Sequence, residues 1–425
     1  MFDNVTSMHK MRHLLKGMPK TSFPKTKIRV LLLEALHQEA LDKFHAESFQ
    51  VEALPGSLSE EELCAKIETV HLLGIRSRTQ IMAKVLEHAR RLWAIGCYCI
   101  GTNQVDLAQA RRQGIAVFNA PYSNTRSVAE LVIGEIIVLI RRVFEKSKAA
   151  HNGIWDKSSS GSFEVRGKTL GIIGYGHIGS QVSILAEAMG MNVIYYDVVE
   201  KLPMGNATPV ATIEELLGRA DIVTLHVPED RATINMMAAP QFALMKKGSY
   251  FLNLSRGRNV VLRDLREAIL AGHIAGAGAD VFPQEPKTNQ EVFENELQGL
   301  PNVILTPHIG GSTLESQKDI ALKTSEKLIS YMNTGTSIGS VNFPEVQLPI
   351  LKDRHRVLHI HKNVPGVISE FSKIVANLGL NIESQILKTE EDIGYLVTDV
   401  NRLVDRQVIE ELKKLEVTIK VRALF

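Results

Sequence analysis

Cysteine is scarce in this sequence, and that scarcity already excludes several classes of protein. Only three occur, Cys64, Cys97 and Cys99, too few for a disulfide-stapled scaffold. Cys97 and Cys99 would share one face of a strand, and without a second cluster they do not make a zinc site. Buried thiols in a reduced compartment are expected, and no metal. No apolar run approaches the length of a membrane-spanning helix, so no membrane association is expected. Charge of one sign is also missing: 49 Lys and Arg against 47 Asp and Glu leave +2, no general attraction for nucleic acid. The imbalance is local. Residues 1–26 carry Lys10, Arg12, Lys16, Lys20 and Lys25 against Asp3 but lack the apolar core of a secretory signal. A mobile basic tail is expected there, with the cytoplasm as default location.

What is present centres on residues 168–197, KTLGIIGYGHIGSQVSILAEAMGMNVIYYD. TLGIIG reads as a strand buried on both faces, running directly into Gly174, Gly176 and Gly179 in G-x-G-x-x-G spacing. The first glycine permits a sharp turn, the second lets the backbone approach a pyrophosphate, and the third lets the helix close on the strand. Helical N–H groups and the helix dipole then favour an anion. Asp197 ends the next strand, where a carboxylate accepts bonds from ribose hydroxyls and repels a 2′-phosphate. The expected cofactor is therefore NAD rather than NADP.

Before this motif, residues 27–122 alternate strand and helix: IRVLLLEA, FQVEAL, HLLGIRS, LWAIGCYCI and IAVFNA as strands, HQEALDKFHAE and TQIMAKVLEHA as helices. Alternation of this kind predicts a parallel sheet covered on both faces. A long helix is expected from about Asn124 to Asn152, opened by a Ser127/Glu130 capping box. Its wide apolar surface is either deeply buried or half of a subunit interface, and the exposed-looking Trp155 favours a partner. Further βα units place a dinucleotide domain at 123–305. The helix after VILTPHIGG is expected to return to the first domain over 306–334, leaving a cleft between the two. A linker is expected at 335–352. Residues 353–425 then read β-α-β-β-α-β, the ferredoxin-like split.

Three stretches at strand ends could carry chemistry, since open α/β sheets place ligands there. In LNLSRGRNV, Arg256 is placed to hold a carboxylate, or to bridge a neighbouring acid. GADVFPQEP offers Asp280 and Glu285, and TPHIGGS offers His308. Removing hydride from a hydroxyl-bearing carbon requires a base for the hydroxyl proton, and histidine suits that exchange near neutrality. A carboxylate behind the imidazole would fix its tautomer. Taken singly, His308 is equally a structural histidine and Glu285 a solvated loop acid.

Together with IRSRT (75–79), CIGTNQVD (99–106), NTRSVAE (124–130), GYGHIG (174–179), NLSRG (253–257), DVFPQEP (280–286) and TPHIGGST (306–313), these segments resemble the D-isomer-specific 2-hydroxyacid dehydrogenase family. The form resembled is the compact one, in which an ACT domain follows directly. The resemblance implies two doubly wound parallel-sheet domains, a flavodoxin-like substrate domain and a Rossmann NAD domain, plus a ferredoxin-like ACT domain. It implies NAD-dependent oxidation of 3-phospho-D-glycerate to 3-phosphooxypyruvate, the first step of L-serine synthesis. Reduction of 2-oxoglutarate, oxidation of another D-2-hydroxyacid, and an NAD-sensing corepressor are the alternatives. By the same resemblance His308 is the acid/base, Glu285 its partner and Arg256 the carboxylate anchor. His177, Ile178, Asp197 and Asp280 would contact cofactor, while Arg76, Ser77 and Asn124 would hold substrate; Arg78, with Arg76 at the end of a first-domain strand, would add a cation opposite a phosphorylated acid. His361, Asn363 and Asn381 would bind L-serine between subunits, and a homotetramer follows from two kinds of interface.

Overall fold

The computed structural model describes residues 23–286, 290–349, 355–401, 404 and 406–424. The chain divides into two compact units, one of residues up to Pro121 and from Lys318 onward, the other Tyr122–Gln317. The expected basic tail lies mostly outside the described residues.

In the first unit, β1 (Arg29–Leu32), β2 (Gln50–Ala53), β3 (Leu72–Ile75), β4 (Ala94–Cys97) and β5 (Ala116–Asn119) form a parallel sheet in the order β2-β1-β3-β4-β5. This is the flavodoxin-like order. Central strands are buried along their whole length, which is why they read as unbroken apolar runs. Helices α1 (Gln38–Ala46), α2 (Glu60–Ile67), α3 (Ala83–His88) and α4 (Leu107–Arg112) connect them. Cys97 is buried in β4, whereas Cys99 lies beyond the strand's end and is half-buried.

The second unit holds β6 (Thr169–Ile173), β7 (Asn192–Tyr196), β8 (Thr208–Pro209), β9 (Ile222–Leu225), β10 (Ser249–Asn253), β11 (Ile274–Ala279) and β12 (Val303–Leu305), in the order β12-β11-β10-β9-β6-β7-β8. All pair in parallel. The order reverses between β6 and β9, so the Gly174 turn sits at the topological switch point where this architecture binds ligands. Its helices are α5 (Thr125–Ile140), α6 (Val143–His151), α7 (His177–Ala188), α8 (Ile213–Arg219), α9 (Ala239–Leu244) and α10 (Leu262–Leu270).

Three expectations need correction. The single helix over 124–152 is two helices, broken where Arg142 adopts a left-handed φ of +52°. Ser127 and Glu130 form no capping box, because the helix starts a turn earlier at Asn124. Ser127 Oγ instead meets Thr313 Oγ1 at 2.8 Å, and Glu130 pairs with Arg126. Helix α5 buries Val128, Val132, Ile136 and Leu139 in its own unit, while Phe144, Ile154 and Trp155, the last 83% accessible, remain exposed. The chain rejoins the first unit at Lys318, so residues 306–317 belong with the second.

Helix α11 (Leu314–Thr334) leads to a connector that is packed rather than loose. Asn342 Oδ1 accepts the Val117 N–H at 2.8 Å, its Nδ2 donates to the Ile115 carbonyl at 3.0 Å, and Phe343 is buried. Residues 350–352 of the expected linker lie outside the described residues.

The last sheet is antiparallel: β13 (His355–Lys362), β14 (Ile382–Glu390), β15 (Ile393–Val400) and β16 (Thr418–Leu424), in the order β14-β15-β13-β16. Helices α12 (Val367–Asn377) and α13 (Arg406–Lys413) complete the β-α-β-β-α-β order read from the sequence. One face forms a core with Phe371, Val375 and Leu412, and the other joins Phe118, Tyr331 and Phe343 of the first unit. Arg356 and Asp399 form a buried bidentate pair at 2.6 and 2.8 Å. Arg356 Nη1 also donates to the Thr334 carbonyl at 2.9 Å, at the C-terminus of α11, where a cation complements the helix dipole.

Candidate active site and cofactor site

The three motif glycines have distinct steric jobs. Gly174 has φ +93°, and a Cβ there would lie 2.5 Å from the His226 carbonyl oxygen; one at Gly179 would lie 2.2 Å from the Gly174 carbonyl oxygen. Only hydrogen fits at either place. A Cβ at Gly176 would meet nothing within 4 Å, leaving the helix N-terminus open. Gly176 caps α7 with no side-chain bond to its N–H groups, the arrangement that receives a phosphate. Asp197 follows β7, accepting the N–H of Tyr175 at 2.8 Å and of Val199 at 2.9 Å. These residues fit a dinucleotide.

His177 opens α7 with its ring 3.9 Å from that of Tyr122, and Ile178 is half-buried beside it. His226, just past β9, is a residue that the sequence reading missed. Burial pushes its pKa down to about 3, and Nδ1 has no partner among the described residues. It is a neutral imidazole at the switch point, and its only sequence signal is its place at a strand's end.

His308 and Glu285, 23 positions apart, meet: His308 Nδ1 lies 2.8 Å from Glu285 Oε2. A carboxylate only accepts, so Nδ1 carries the proton and Nε2 is left as the basic nitrogen. Glu285 is held in turn by the Phe282 N–H at 3.1 Å. The Glu285 bond raises the His308 pKa above its ordinary 6.5, overcoming the opposing effect of burial. Burial pushes Glu285 up, but the bond and charge of His308, the Phe282 N–H and the field of Arg256 bring it below its ordinary value. Arg256 lies at the end of β10 with Nη1 donating to the Ser255 carbonyl at 2.7 Å, and forms no ion pair among the described residues. Its charge bears on both members of the pair while its remaining donors stay open to a carboxylate.

Asp280, 1% accessible, templates the loop that carries His308. Its carboxylate accepts Thr306 Oγ1 at 2.7 Å and the N–H groups of Ile309 and Gly310 at 2.8 Å, while its carbonyl accepts the His308 N–H at 2.8 Å. Burial outweighs these donors, and its pKa is raised. His308 itself is held at φ +52°, a left-handed conformation that a non-glycine residue keeps only when its surroundings impose it.

Arg76, Ser77 and Arg78 follow β3 in the first unit. Their loop is shaped by a residue that no local sequence pattern marks. Glu34, buried with φ +69°, accepts the N–H of Arg76 at 3.2 Å, Arg78 at 3.0 Å and Thr79 at 2.9 Å. Gln104 Nε2 donates to the Arg76 carbonyl at 2.7 Å. The Ser77 and Arg78 side chains stay exposed, and neither Arg76 nor Arg78 is ion-paired among the described residues. Asn124 lies in the second unit as the N-cap of α5, close against Gly311, with Oδ1 buried and without a partner among the described residues.

The expected effector residues do not converge within one chain. His361 ends β13 opposite Gly394, with Nδ1 at 2.8 Å from the Lys362 carbonyl, and Asn363 Nδ2 donates to the Glu391 carbonyl at 3.1 Å. Asn381 precedes β14, bonded through its N–H to Asn401 at the far end of β15. The length of β15 separates them, on the order of 25 Å.

Two domain families match the chain: the D-isomer specific 2-hydroxyacid dehydrogenase NAD binding domain over residues 133–310, and the AHAS small subunit-like ACT domain over 357–420. D-3-phosphoglycerate dehydrogenase from Dictyostelium discoideum is 49% identical over 407 residues, covering 96% of this chain and 100% of that one. The Escherichia coli D-3-phosphoglycerate dehydrogenase is 49% identical over 411 residues, with the same coverage. The crystal structure of D-lactate dehydrogenase from Aquifex aeolicus complexed with NAD and lactic acid superposes with a TM-score of 0.64 at 26% identity, over 74% of this chain and 100% of that one. By sequence over nearly its whole length, the chain belongs to the D-isomer-specific 2-hydroxyacid dehydrogenase family, in its D-3-phosphoglycerate dehydrogenase branch.

Proposed function

We propose that this chain oxidises 3-phospho-D-glycerate to 3-phosphooxypyruvate with NAD⁺, the first step of L-serine synthesis. The observation that carries the reading is the 2.8 Å His308–Glu285 pair beside Arg256, in a chain 49% identical to enzymes of that name. The helix α7 N-terminus with Gly174, Gly176, His177, Ile178 and Gly179 would hold the pyrophosphate, and Asp197 the adenosine ribose. Bound NAD⁺ supplies the hydride acceptor for C2 of the substrate. His308 Nε2 takes the hydroxyl proton as the C2 carbonyl forms, and Glu285 stabilises the resulting imidazolium. Arg256 anchors the α-carboxylate. Arg76 and Arg78 supply the cations that a phosphorylated acid requires, with Ser77 and Asn124 as further donors.

The ACT sheet supports a regulatory role. Strand β14 is a nine-residue edge with exposed side chains, the form of strand that pairs with another copy. Edge-to-edge pairing in antiparallel sense would bring His361 and Asn363 of one copy toward Asn381 of the next, and L-serine is the proposed occupant. The exposed Phe144, Ile154 and Trp155 supply a second interface, hence a homotetramer in the cytoplasm. Among the described residues no helix is long and apolar enough to cross a membrane. A panel of 2-hydroxy acids with NAD⁺ and 2-oxo acids with NADH, each with and without L-serine, tests the reading. Turnover should be highest with 3-phospho-D-glycerate and suppressed by serine; preference for 2-oxoglutarate or lactate would overturn the substrate assignment.

A further inference from the structure

Glu135 is a buried acid that the reaction as described leaves without a task. It sits in the apolar face of α5, 4% accessible, against β11. That strand reads IAGAGA, and a Cβ at Gly278 would fall 2.5 Å from Glu135 Oε2, so the glycine makes room for the carboxyl. Neither carboxyl oxygen has a hydrogen-bond partner of normal geometry among the described residues. The groups that bear on it are the Asp280 carboxylate and the Thr306 hydroxyl. From α7 and β10 the neighbours in its core are Val182, Ala186, Tyr250 and Leu252, none of which brings a cation.

Two carboxyls in one buried pocket do not readily both ionise, and the cation that reaches them, His308 when protonated, bears on Asp280. Asp280 has three donors and keeps the charge; Glu135 has none and keeps the proton. Burial and the Asp280 charge accordingly push Glu135 up to about 8. A neutral carboxyl has an O–H to offer, and the Thr306 oxygen, whose own proton goes to Asp280, is an acceptor.

We propose that Glu135 is a positioning residue for the reaction: its protonated carboxyl supports Thr306 and Asp280 from beneath, and so holds the left-handed loop that presents His308. Loss of that proton sets a second anion beside Asp280 and loosens the loop. The inference rests on His308 as the base, but its test separates the two. Glu135→Leu should lower kcat by roughly 10–100-fold, the scale of a small misplacement, with NADH affinity retained. Glu135→Gln, neutral and of the same shape, should restore kcat near neutrality and remove the ionisation expected of wild type near pH 8.

Independently of turnover, infrared difference spectra of wild type against Glu135→Gln should contain the carbonyl band of a protonated carboxyl. Native Glu135 also holds a proton that the unfolded chain releases above its ordinary 4.5. Wild-type stability should therefore fall relative to Glu135→Gln as pH rises from about 4.5 to about 8. Absence of the band, or a pH profile unchanged in Glu135→Gln, overturns the proposal. Turnover surviving in His308→Ala would overturn the base assignment instead and leave the band and the stability difference untouched.

Discussion

Glu34 accepts the backbone N–H of Arg78 at 3.0 Å across 44 positions of sequence, and through Arg76 and Thr79 it fixes the whole loop. Glu34→Ala leaves three N–H groups to find new partners while both arginines remain in the chain. We expect KM for 3-phospho-D-glycerate to rise by roughly tenfold, about the worth of one charge-assisted bond, with kcat and NADH affinity nearly unchanged. Steady-state kinetics with both substrates varied would check this, and a fall in kcat alone would contradict it.

The His308–Glu285 pair gives the reaction a direction-dependent pH response. With His308 as the proposed base, oxidation would use its neutral form, so kcat/KM for 3-phospho-D-glycerate should rise as pH passes the raised His308 value, above 6.5. Reduction would use the imidazolium and should fall over the same range. Glu285→Gln removes the largest raising influence, and both inflections should move to lower pH. For stability, the raised histidine favours the fold fully below about 6.5 and loses that advantage as pH rises through its folded value. The lowered Glu285 favours it above about 4.5 and loses that advantage as pH falls through its folded value. The pair therefore stabilises most between those limits, and only modestly, because both side chains are more than a third exposed.

Arg356 and Asp399 join the ACT sheet to the end of α11, nearly closed off from solvent. Arg356→Met would leave Asp399 buried with Ser384 Oγ at 3.1 Å as a remaining donor. Urea unfolding should show a loss of about 3–5 kcal/mol. Arg356→Met combined with Asp399→Leu should recover much of it, since the lone buried charge is gone. Equal loss in single and double variants would show that packing, not charge, is at stake.

The parts legible in the sequence were those written in short-range pattern. Buried parallel strands announce themselves as apolar runs, and Gly174 and Gly179 as positions where a Cβ strikes backbone. The three ACT residues were legible as types, but their separation along β15 depends on antiparallel pairing that spacing does not encode. The break at Arg142 carries no glycine or proline to mark it. Glu34 looks like any acid after a strand until its loop partners arrive from more than 40 positions away. Glu135 hides in an apolar helix, and Asn342 in a segment without periodicity, because each is meaningful only through the strand it meets.

If His308 is the base in oxidation of 3-phospho-D-glycerate, turnover depends on it and NADH binding does not. The most direct measurement is NADH formation from 3-phospho-D-glycerate and NAD⁺ by wild type and His308→Ala, with NADH binding followed in parallel by fluorescence. We expect turnover in wild type, a fall of roughly 10²–10⁴-fold in the variant, and unchanged binding. Turnover that survives the substitution, or a wild type inactive on this substrate, would contradict it.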